Sequence, residues 1–288
     1  MIDISRHDII RSKSNGLIVN LAKIGSDKKY RDADRMYAAE GVKLFCEAVK
    51  FDSGVKKALV CEDFVSAINA NPGLAYVADA LAKAEAGGAE IIIVSTDAFM
   101  KVSGEKSPQG IIAFIEYNEK KHSRRLSDGE LTEIGVVELI MMLESVRDPS
   151  NLGAIMRCAC ALGYSGLILT GNCADIYNPK TLRASMGAVF KLKTITFDAA
   201  ADAAVSVKKS QRRLIAARLD DTAHEAARDF FRRSDCVVIG NEGHGISDEL
   251  AALCDASVYI PITANTESLN AASASSILMW EQSRVIAN

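Results

Sequence analysis

The sequence lacks the features that would place it in a membrane or in an oxidising compartment. None of its apolar runs approaches the roughly 20 residues that a bilayer-spanning helix needs. Its first residues, MIDISRHDIIRSKSNG, contain no apolar stretch followed by a small-residue cleavage site, so we expect no secretory signal. These absences predict a cytoplasmic protein with no membrane partner.

The seven cysteines include no CxxC pair, and no histidine is placed to complete a zinc site with them. Most of them have apolar neighbours in the sequence, as Cys61 and Cys236 do. We therefore expect reduced, buried thiols and no bound metal.

Aromatic residues are scarce, at 6% of the chain, and the net charge is −3. A negative chain is not a general binder of polyanions, although local patches decide whether RNA binds. Four groups of basic residues are candidate patches, and each is equally explained as a solvated face. They are Lys28, Lys29, Arg31 and Arg35; His122, Arg124 and Arg125; Lys208, Lys209, Arg212 and Arg213; and Arg232 and Arg233.

With 49% hydrophobic and 25% charged residues, the chain suits a globular protein with a sizeable core. Strand-like segments alternate with helix-like ones on both sides of a polar stretch, NEKKHSRRLSDGE, which predicts two α/β domains. We expect a smaller domain over 1–117, a linker over 118–131, and a larger domain with a parallel sheet over 132–288.

In the larger domain, hydrophobic periodicity predicts strands that alternate with helices over 151–162, 222–233 and 268–284. Ligands bind beyond the carboxyl ends of the strands in open parallel sheets. Three unusual loops follow strands of this domain, and we expect a functional site where they meet.

The first loop is ESVRDPSNLGAIMRCACALG, residues 144–163. Pro149 fixes a turn, and we expect Asn151 to cap the helix that follows. Arg157 lies six residues further on, in the first turns of that helix. A capped helix that carries a surface arginine explains the same pattern, so this loop does not by itself indicate a site.

The second loop is VVIGNEGHGISDEL, residues 237–250, in which a buried strand leads into a glycine-rich turn. Such turns can cradle phosphates. GNEGHG does not fit the GxGxxG pattern, however, and the carboxylate of Glu242 would repel a pyrophosphate. A carboxylate at this position suits a hydroxyl, an ammonium group or an orienting role, which disfavours a dinucleotide site.

The third loop is VYIPITANTESLNAASASSILMWE, residues 258–281, where a strand ends at Pro261. Ser268, Leu269 and Asn270 open a helix whose first residues are small, so a ligand or another backbone can pack closely against it. A serine that caps a tightly packed terminal helix is the simpler alternative.

In this order, the three loops resemble the motifs of the SpoU (TrmH-like) RNA 2′-O-methyltransferases of the SPOUT superfamily. The segment YNPKTLRASMGAVFKL, residues 177–192, resembles a further segment of that family. Four similar segments in one order are highly specific, and they span the larger domain. In the smaller domain, Arg31, Ala39-Glu40-Gly41 and SPQGIIAF are similar, less sharply, to the substrate-binding domain of the ribosomal RNA methyltransferases.

The resemblance implies a sheet whose C-terminal segment threads a deep trefoil knot, and a homodimer with its site near the subunit interface. It implies S-adenosylmethionine as the methyl donor, held against Gly240, Ile260 and Leu269. The implied reaction is the attack of a ribose 2′-oxygen of RNA, with ribosomal RNA preferred, on the methyl carbon of that donor.

The resemblance also implies the polar residues of the site. Arg157 is the leading catalytic residue, with Asn151 positioning it or the substrate, and Glu242, Ser268 and Asn270 complete the lining. Arginine keeps its proton in proteins, so holding a phosphate and stabilising alkoxide charge is physically easier than general-base catalysis. The sequence leaves both roles open.

Three residues depart from the family pattern, since Cys158, Ile262 and Ala264 stand where threonine, methionine and glycine are common. None of these changes removes a polar catalytic group. A transfer RNA methyltransferase and a non-catalytic RNA-binding factor for ribosome assembly are alternative functions. The intact set of polar site residues disfavours the second, and the added first domain favours ribosomal over transfer RNA by analogy. A nucleotide-dependent oxidoreductase would need GxGxxG and a later acidic residue, and both are missing.

Overall fold

The computed structural model describes residues 8–125, 138–264 and 266–285, and the chain divides into two units. The first unit comprises residues up to Asn118 together with 177–190, and the second comprises 119–176 and 191–288. The segment 177–190 therefore belongs with the first unit in space although it lies within the larger domain in sequence. The predicted domains, 1–117 and 132–288, place this segment in the larger domain.

The first unit is built on a mixed four-stranded sheet in the order β1-β4-β2-β3. Its strands are β1 (Met36–Glu40), β2 (Val55–Cys61), β3 (Glu90–Val94) and β4 (Ile111–Glu116). Strand β4 runs antiparallel to β1 and β2, whereas β2 and β3 are parallel. The helices, numbered along the whole chain, are α1 (Gly16–Ser26), α2 (Lys28–Asp34), α3 (Val42–Lys50), α4 (Glu62–Ala70), α5 (Ala75–Ala86), α6 (Thr96–Val102) and α8 (Pro179–Ser185).

The sequence of α1 shows how helices close the core of this unit. Asn15 caps the helix by accepting a hydrogen bond from the backbone of Leu17. The buried residues Ile18, Leu21 and Ile24 recur every three positions and therefore share one face of the helix. That face packs with apolar residues of the sheet and of α6 in one cluster.

The second unit contains an eight-stranded sheet in the order β10-β12-β9-β11-β6-β7-β8-β5. All of its strand pairings are parallel, which confirms the predicted parallel α/β architecture. The strands are β5 (His122–Arg125), β6 (Ile140–Glu144), β7 (Gly166–Thr170), β8 (Lys193–Phe197), β9 (Leu214–Ala217), β10 (His224–Glu225), β11 (Cys236–Ile239) and β12 (Ala256–Tyr259).

Helices α7 (Pro149–Ala161), α9 (Ala200–Lys209), α10 (Asp248–Ala251) and α11 (Ala271–Ser283) complete the second unit. Strands β6, β7 and β11 are buried along their whole length, as expected for parallel strands covered on both faces. Helix α7 packs against α11. None of the helices described is long and apolar enough to span a bilayer.

The cap predicted for α7 is wrong, and the serine cap considered as an alternative for α11 does not form. Helix α7 is capped by Asp148, whose side chain accepts a hydrogen bond from the backbone of Asn151, because Pro149 occupies the first helical position. Helix α11 is capped by Asn270 and not by Ser268. Asp148 and Asn270 thus satisfy the free backbone N–H groups at the starts of these helices. Asn151 consequently lies inside α7.

The helix predicted over 222–233 does not form. His224–Glu225 pairs with β12 instead, and the remainder consists of turns. The apolar spacing there is helical, but other partners take the backbone groups: the carbonyl of Phe230 accepts from Arg213 and the N–H of Arg232 donates to Asp235. Tertiary hydrogen bonds outweigh local propensity here. In the predicted linker, residues 122–125 form β5, and 126–131 lie outside the described residues.

A buried polar contact fixes the far end of α11. Gln282 is fully buried and its Oε1 accepts a 2.7 Å hydrogen bond from the hydroxyl of Tyr164. Its Nε2 donates to the backbone carbonyl of Asp235 at 2.7 Å. Asp235 in turn accepts both guanidinium hydrogen bonds of Arg213, at 2.9 and 2.6 Å. Helix α11 is thereby joined to the segments that enter β7 and β11.

Replacing Gln282 by alanine should therefore destabilise the protein more than an exposed substitution on the same helix. The change leaves the hydroxyl of Tyr164 and the carbonyl of Asp235 without their partner and opens a cavity, at a cost of about 2–4 kcal/mol. Urea unfolding of Gln282→Ala beside Ser273→Ala, an exposed position of α11, measures it. Equal unfolding free energies for the two variants would contradict the role given to Gln282.

Candidate active site

The carboxyl ends of four neighbouring strands define one edge of the second sheet. Strands β12, β9, β11 and β6 are adjacent and parallel, so the loops that follow them leave from the same edge. These loops include the three segments that the sequence singles out. The structure joins their polar residues directly by hydrogen bonds.

A chain of side-chain amides connects the three loops. Asn270 Nδ2 donates to Asn151 Oδ1 at 2.9 Å, and Asn151 Nδ2 donates to Glu242 Oε1 at 2.9 Å. Asn270 Oδ1 accepts from the backbone N–H groups of Ala272 and Ser273 at the start of α11. We call the three side chains of Asn151, Glu242 and Asn270 the amide relay.

The two ends of the amide relay fix its direction. The first N–H groups of α11 can only donate, so they require the oxygen of Asn270. An ionised carboxylate can only accept, so Glu242 requires the amino group of Asn151. Each amide has one orientation that satisfies both neighbours. The relay therefore holds the three loops in one arrangement.

The environment of Glu242 favours its ionised form. Partial burial raises the pKa of this carboxyl, but hydrogen bonds from Asn151 and from the backbone N–H groups of Glu242, Arg147 and Asp148 outweigh it. The net pKa lies below the usual glutamate value. Glu242 is thus an orienting acceptor at neutral pH and is poorly suited to hold a proton taken from a substrate.

The loop between β11 and α10 is closed tightly on itself. Asn241 and Gly245 exchange backbone hydrogen bonds of 2.9 Å in both directions. A Cβ atom on Gly240 would lie only 2.1 Å from the backbone carbon of Gly245. A side chain at position 240 would push the loop open. Glycine is required here because the backbone of Gly245 approaches so closely.

Three further polar contacts, which sequence reasoning missed, tie this loop to β6 and its continuation. The carboxylate of Glu144 accepts from the hydroxyl and the backbone N–H of Ser247 at 2.7 and 2.8 Å. Asn241 Nδ2 donates to the carbonyl of Ser145 at 2.8 Å. A lone carboxylate that ends the apolar strand IMML was a signal in the sequence that could have indicated Glu144.

A cavity of about 630 Å³ opens beside the amide relay, within the second unit. Gly240, Ile260 and Leu269, the residues implied to hold a donor, all line it, as do Glu242 and Ser268. Its other lining residues include Leu219 and Arg218, which sequence reasoning missed because they follow a strand with no recognised motif. Among the described residues, the backbone groups of Ile260 and Leu269 form no hydrogen bonds.

The structure brings the predicted site residues together in two sets and leaves Arg157 apart. Asn151 and Asn270 belong to the amide relay but do not line the cavity, whereas Glu242 belongs to both. Arg157 is exposed on α7, about 9 Å along the helix axis from Asn151. It forms no hydrogen bond or ion pair with any part of the chain that the structure describes.

Other predicted features have mixed outcomes. All seven cysteines are free, but only Cys61 and Cys236 are fully buried. Arg31 and Arg212 are buried and do not contribute to basic surface patches. Within residues 8–125, 138–264 and 266–285, no group of three or more His, Cys, Asp or Glu side chains is placed to hold a metal ion.

Comparison with known proteins agrees with this geometry. Residues 138–280 match the SpoU rRNA Methylase family, and residues 17–113 match the MRM3-like substrate binding domain. A 23S rRNA (uridine(2479)-2′-O)-methyltransferase of Streptomyces viridochromogenes is 31% identical over 203 residues, which cover 68% of this chain and 67% of that protein. The chain belongs to the SpoU family. The family and the order of its two domains were both predicted from sequence.

Two further relatives extend this similarity over nearly the whole chain. The 23S rRNA (guanosine(2553)-2′-O)-methyltransferase RlmP of Bacillus subtilis is 26% identical and covers 94% of this chain and 97% of its own length. The crystal structure of an AdoMet-bound rRNA methyltransferase from Sinorhizobium meliloti superposes with a TM-score of 0.79 at 26% identity. It covers 97% of this chain and 98% of its own. The similarity of this SpoU chain to these two proteins thus includes both of its units.

The lowered pKa of Glu242 predicts how this residue affects stability at different pH values. Its hydrogen bonds to the carboxylate stabilise the fold above pH 4.5, the ordinary glutamate pKa, and are lost as the pH falls through the lower folded value. The stability difference between wild type and Glu242→Gln should therefore shrink as the pH falls well below 4.5. Urea unfolding at a series of pH values measures this difference.

Glu249→Gln is the matched control, because it removes an exposed carboxylate of α10 that lies outside the relay. If the difference for Glu242→Gln stays constant over the whole pH range, the carboxylate is not held in its ionised form by the relay.

Proposed function

We propose that this protein transfers a methyl group from S-adenosylmethionine to a ribose 2′-hydroxyl of ribosomal RNA. The observation that carries the proposal is the amide relay, which joins the three SpoU segments beside a cavity that the second and third of them line. Two relatives, one of which covers 94% of this chain, carry the names of 23S rRNA 2′-O-methyltransferases, and one structural neighbour is an AdoMet-bound rRNA methyltransferase.

The cavity fits the methyl donor in size and in charge. Its volume of about 630 Å³ lies within the range of small-molecule sites. The cavity lining carries two carboxylates, Glu242 and Glu267, against one cation, Arg218. A net acidic lining suits S-adenosylmethionine, whose sulfonium and ammonium groups outnumber its carboxylate. The donor, when bound, supplies a methyl group activated by its sulfonium.

Backbone groups would hold the adenine of the donor. Ile260 and Leu269 line the cavity, and their backbone N–H and C=O groups, which form no hydrogen bonds among the described residues, can pair with the edge of a purine ring. Gly240 allows the backbone beside them to remain close. This arrangement needs no aromatic side chain to grip the base, in agreement with the low aromatic content of the chain.

The roles of the polar residues follow from their surroundings. The amide relay keeps Glu242 ionised and oriented at the cavity, where it can accept a hydrogen bond from a ribose hydroxyl. Arg157 is exposed and unpaired among the described residues, so its guanidinium is available to a phosphate and to the oxygen that loses its proton. Ser268 adds a further hydroxyl to the cavity lining.

The subunit arrangement is also part of the proposal. Helix α11 exposes Ile277 and Trp280, one turn apart, with 39% and 53% of their surfaces accessible. Exposed apolar side chains at helical spacing favour contact with a second helix. We assign this face to a homodimer, with the active site near the subunit interface.

The proposal also includes a knotted backbone and a role for each of the two domains. We propose that the segment after β12 threads a deep trefoil knot. This proposal rests on the match of residues 138–280 to the SpoU family. We assign RNA binding to the first unit and catalysis to the second, in a cytoplasmic protein. This follows the predicted division into 1–117, 118–131 and 132–288, except that 122–125 belong to the second sheet and 177–190 to the first unit.

A direct test supplies purified protein with S-adenosylmethionine labelled in its methyl group and with ribosomal RNA from cells that lack the gene. Wild-type protein should label that RNA, and the Arg157→Ala variant should lower the rate by at least about two orders of magnitude. Arg157→Lys should recover only part of it, because a lysine lacks the planar fork of donors. Nuclease digestion identifies the label as a 2′-O-methylnucleoside.

Donor binding by calorimetry and the melting temperature should both stay unchanged in Arg157→Ala, because this exposed side chain does not line the cavity and forms no hydrogen bond or ion pair with a described residue. Arg228→Ala, which removes an exposed arginine elsewhere in the second unit, is the matched control. Wild-type turnover in Arg157→Ala would refute its role.

The dimer is tested by changing the exposed face of α11. Trp280→Lys should convert the dimer to a monomer in light scattering, because the lysine would bury a charge in an apolar contact. Tyr76→Lys alters a side chain of the first unit that is equally exposed, at 55%, and should leave the mass unchanged. A dimer that persists in Trp280→Lys would place the interface elsewhere.

A further inference from the structure

Three tyrosine rings and an arginine form a continuous stack in the first unit. Tyr177 stacks on Tyr37 with ring centroids 4.2 Å apart and on Tyr117 with centroids 4.3 Å apart. The guanidinium carbon of Arg35 lies 5.0 Å from the centroid of the Tyr117 ring. Tyr37 and Tyr177 are buried, Tyr117 is half-buried and Arg35 is exposed, so the stack leads from the core to the surface.

The backbone at position 35 does not explain an arginine. Arg35 ends α2 in the left-handed conformation, with a φ of 54° and a ψ of 35°. Its carbonyl accepts a 2.9 Å hydrogen bond from the N–H of Tyr117. This conformation costs energy for any residue with a Cβ atom and none for glycine. Strain of this kind is often kept where the side chain has a function.

An ion pair holds the ring of Tyr117 in place. The hydroxyl of Tyr117 donates to Asp32 at 2.8 Å, and Lys28 also binds this carboxylate. Burial raises the pKa of Asp32, but the hydrogen bonds from Lys28 and Tyr117 outweigh burial and keep the pKa lowered. Lys28 neutralises the carboxylate that fixes Tyr117, and the flat surface of ring and guanidinium is complementary to the face of a nucleobase.

We propose that Arg35, seated on Tyr117, is a stacking site for an unpaired base of the RNA substrate. Unpaired bases commonly stack on guanidinium planes and on aromatic rings. The buried tyrosines beneath make the platform rigid, so little side-chain freedom is lost on binding. Because stacking tolerates any base, the site would add affinity and fix the position of the RNA without selecting a base. This inference rests on the proposed RNA substrate and assigns one contact to the first unit.

The test compares Arg35→Gly, Arg35→Lys and Lys29→Ala with wild type. The RNA is ribosomal RNA purified from cells that lack the gene. Arg35→Gly relieves the left-handed strain and removes the guanidinium, so its melting temperature should not fall while its KM for RNA rises about five-fold or more. Arg35→Lys keeps the positive charge but removes the planar guanidinium, so its KM for RNA should rise by a similar factor. The kcat and the Kd for S-adenosylmethionine should not change.

Lys29→Ala removes one exposed positive charge from the same helix and should change KM by less than about two-fold. If Arg35→Lys behaves as wild type, the contact is electrostatic and stacking is wrong. If wild type methylates the RNA and Arg35→Gly keeps the wild-type KM, the inference alone is overturned. If wild type does not methylate the RNA at all, the proposed function falls, and the inference falls with it.

Discussion

The hydrogen-bond chain from the start of α11 through Asn270 and Asn151 to Glu242 is the constraint on which the site depends. It joins three segments that are far apart in sequence. It has one direction because the N–H groups of α11 at one end can only donate and the carboxylate at the other end can only accept. Residues that the family resemblance implied as catalytic are therefore engaged with one another. Glu242 lines the cavity, and in the proposed function Asn151 and Asn270 act by positioning while Arg157 is the cation that meets the substrate.

The parallel sheet makes this chain possible. Because β12, β9, β11 and β6 are adjacent and parallel, their following loops leave from one edge, and the bond between Glu144 and Ser247 fixes the second loop to the end of β6. Gly240 permits the turn that brings Asn241 back on Gly245. At the opposite end of α11, Gln282 is satisfied by buried partners. The helix that supplies Asn270 is thereby held at both ends.

Hydrophobic periodicity and residue type predicted the parallel strands and the loops that carry the site, because both signals are local. What they missed depends on distant partners. Asp148, not Asn151, caps α7, and only the structure shows that the freed amide of Asn151 reaches Glu242. The helix predicted over 222–233 fails because Arg213 and Asp235 bind its backbone. Likewise, the stacking of Tyr177 between Tyr37 and Tyr117 places 177–190 with the first unit.

The central claim is that this assembly methylates a ribose of ribosomal RNA. The most direct measurement maps 2′-O-methyl positions in ribosomal RNA from cells with and without the gene. The account predicts the loss of a specific 2′-O-methyl group when the gene is absent and its return with the wild-type gene. Identical maps of ribosomal RNA with and without the gene would contradict it.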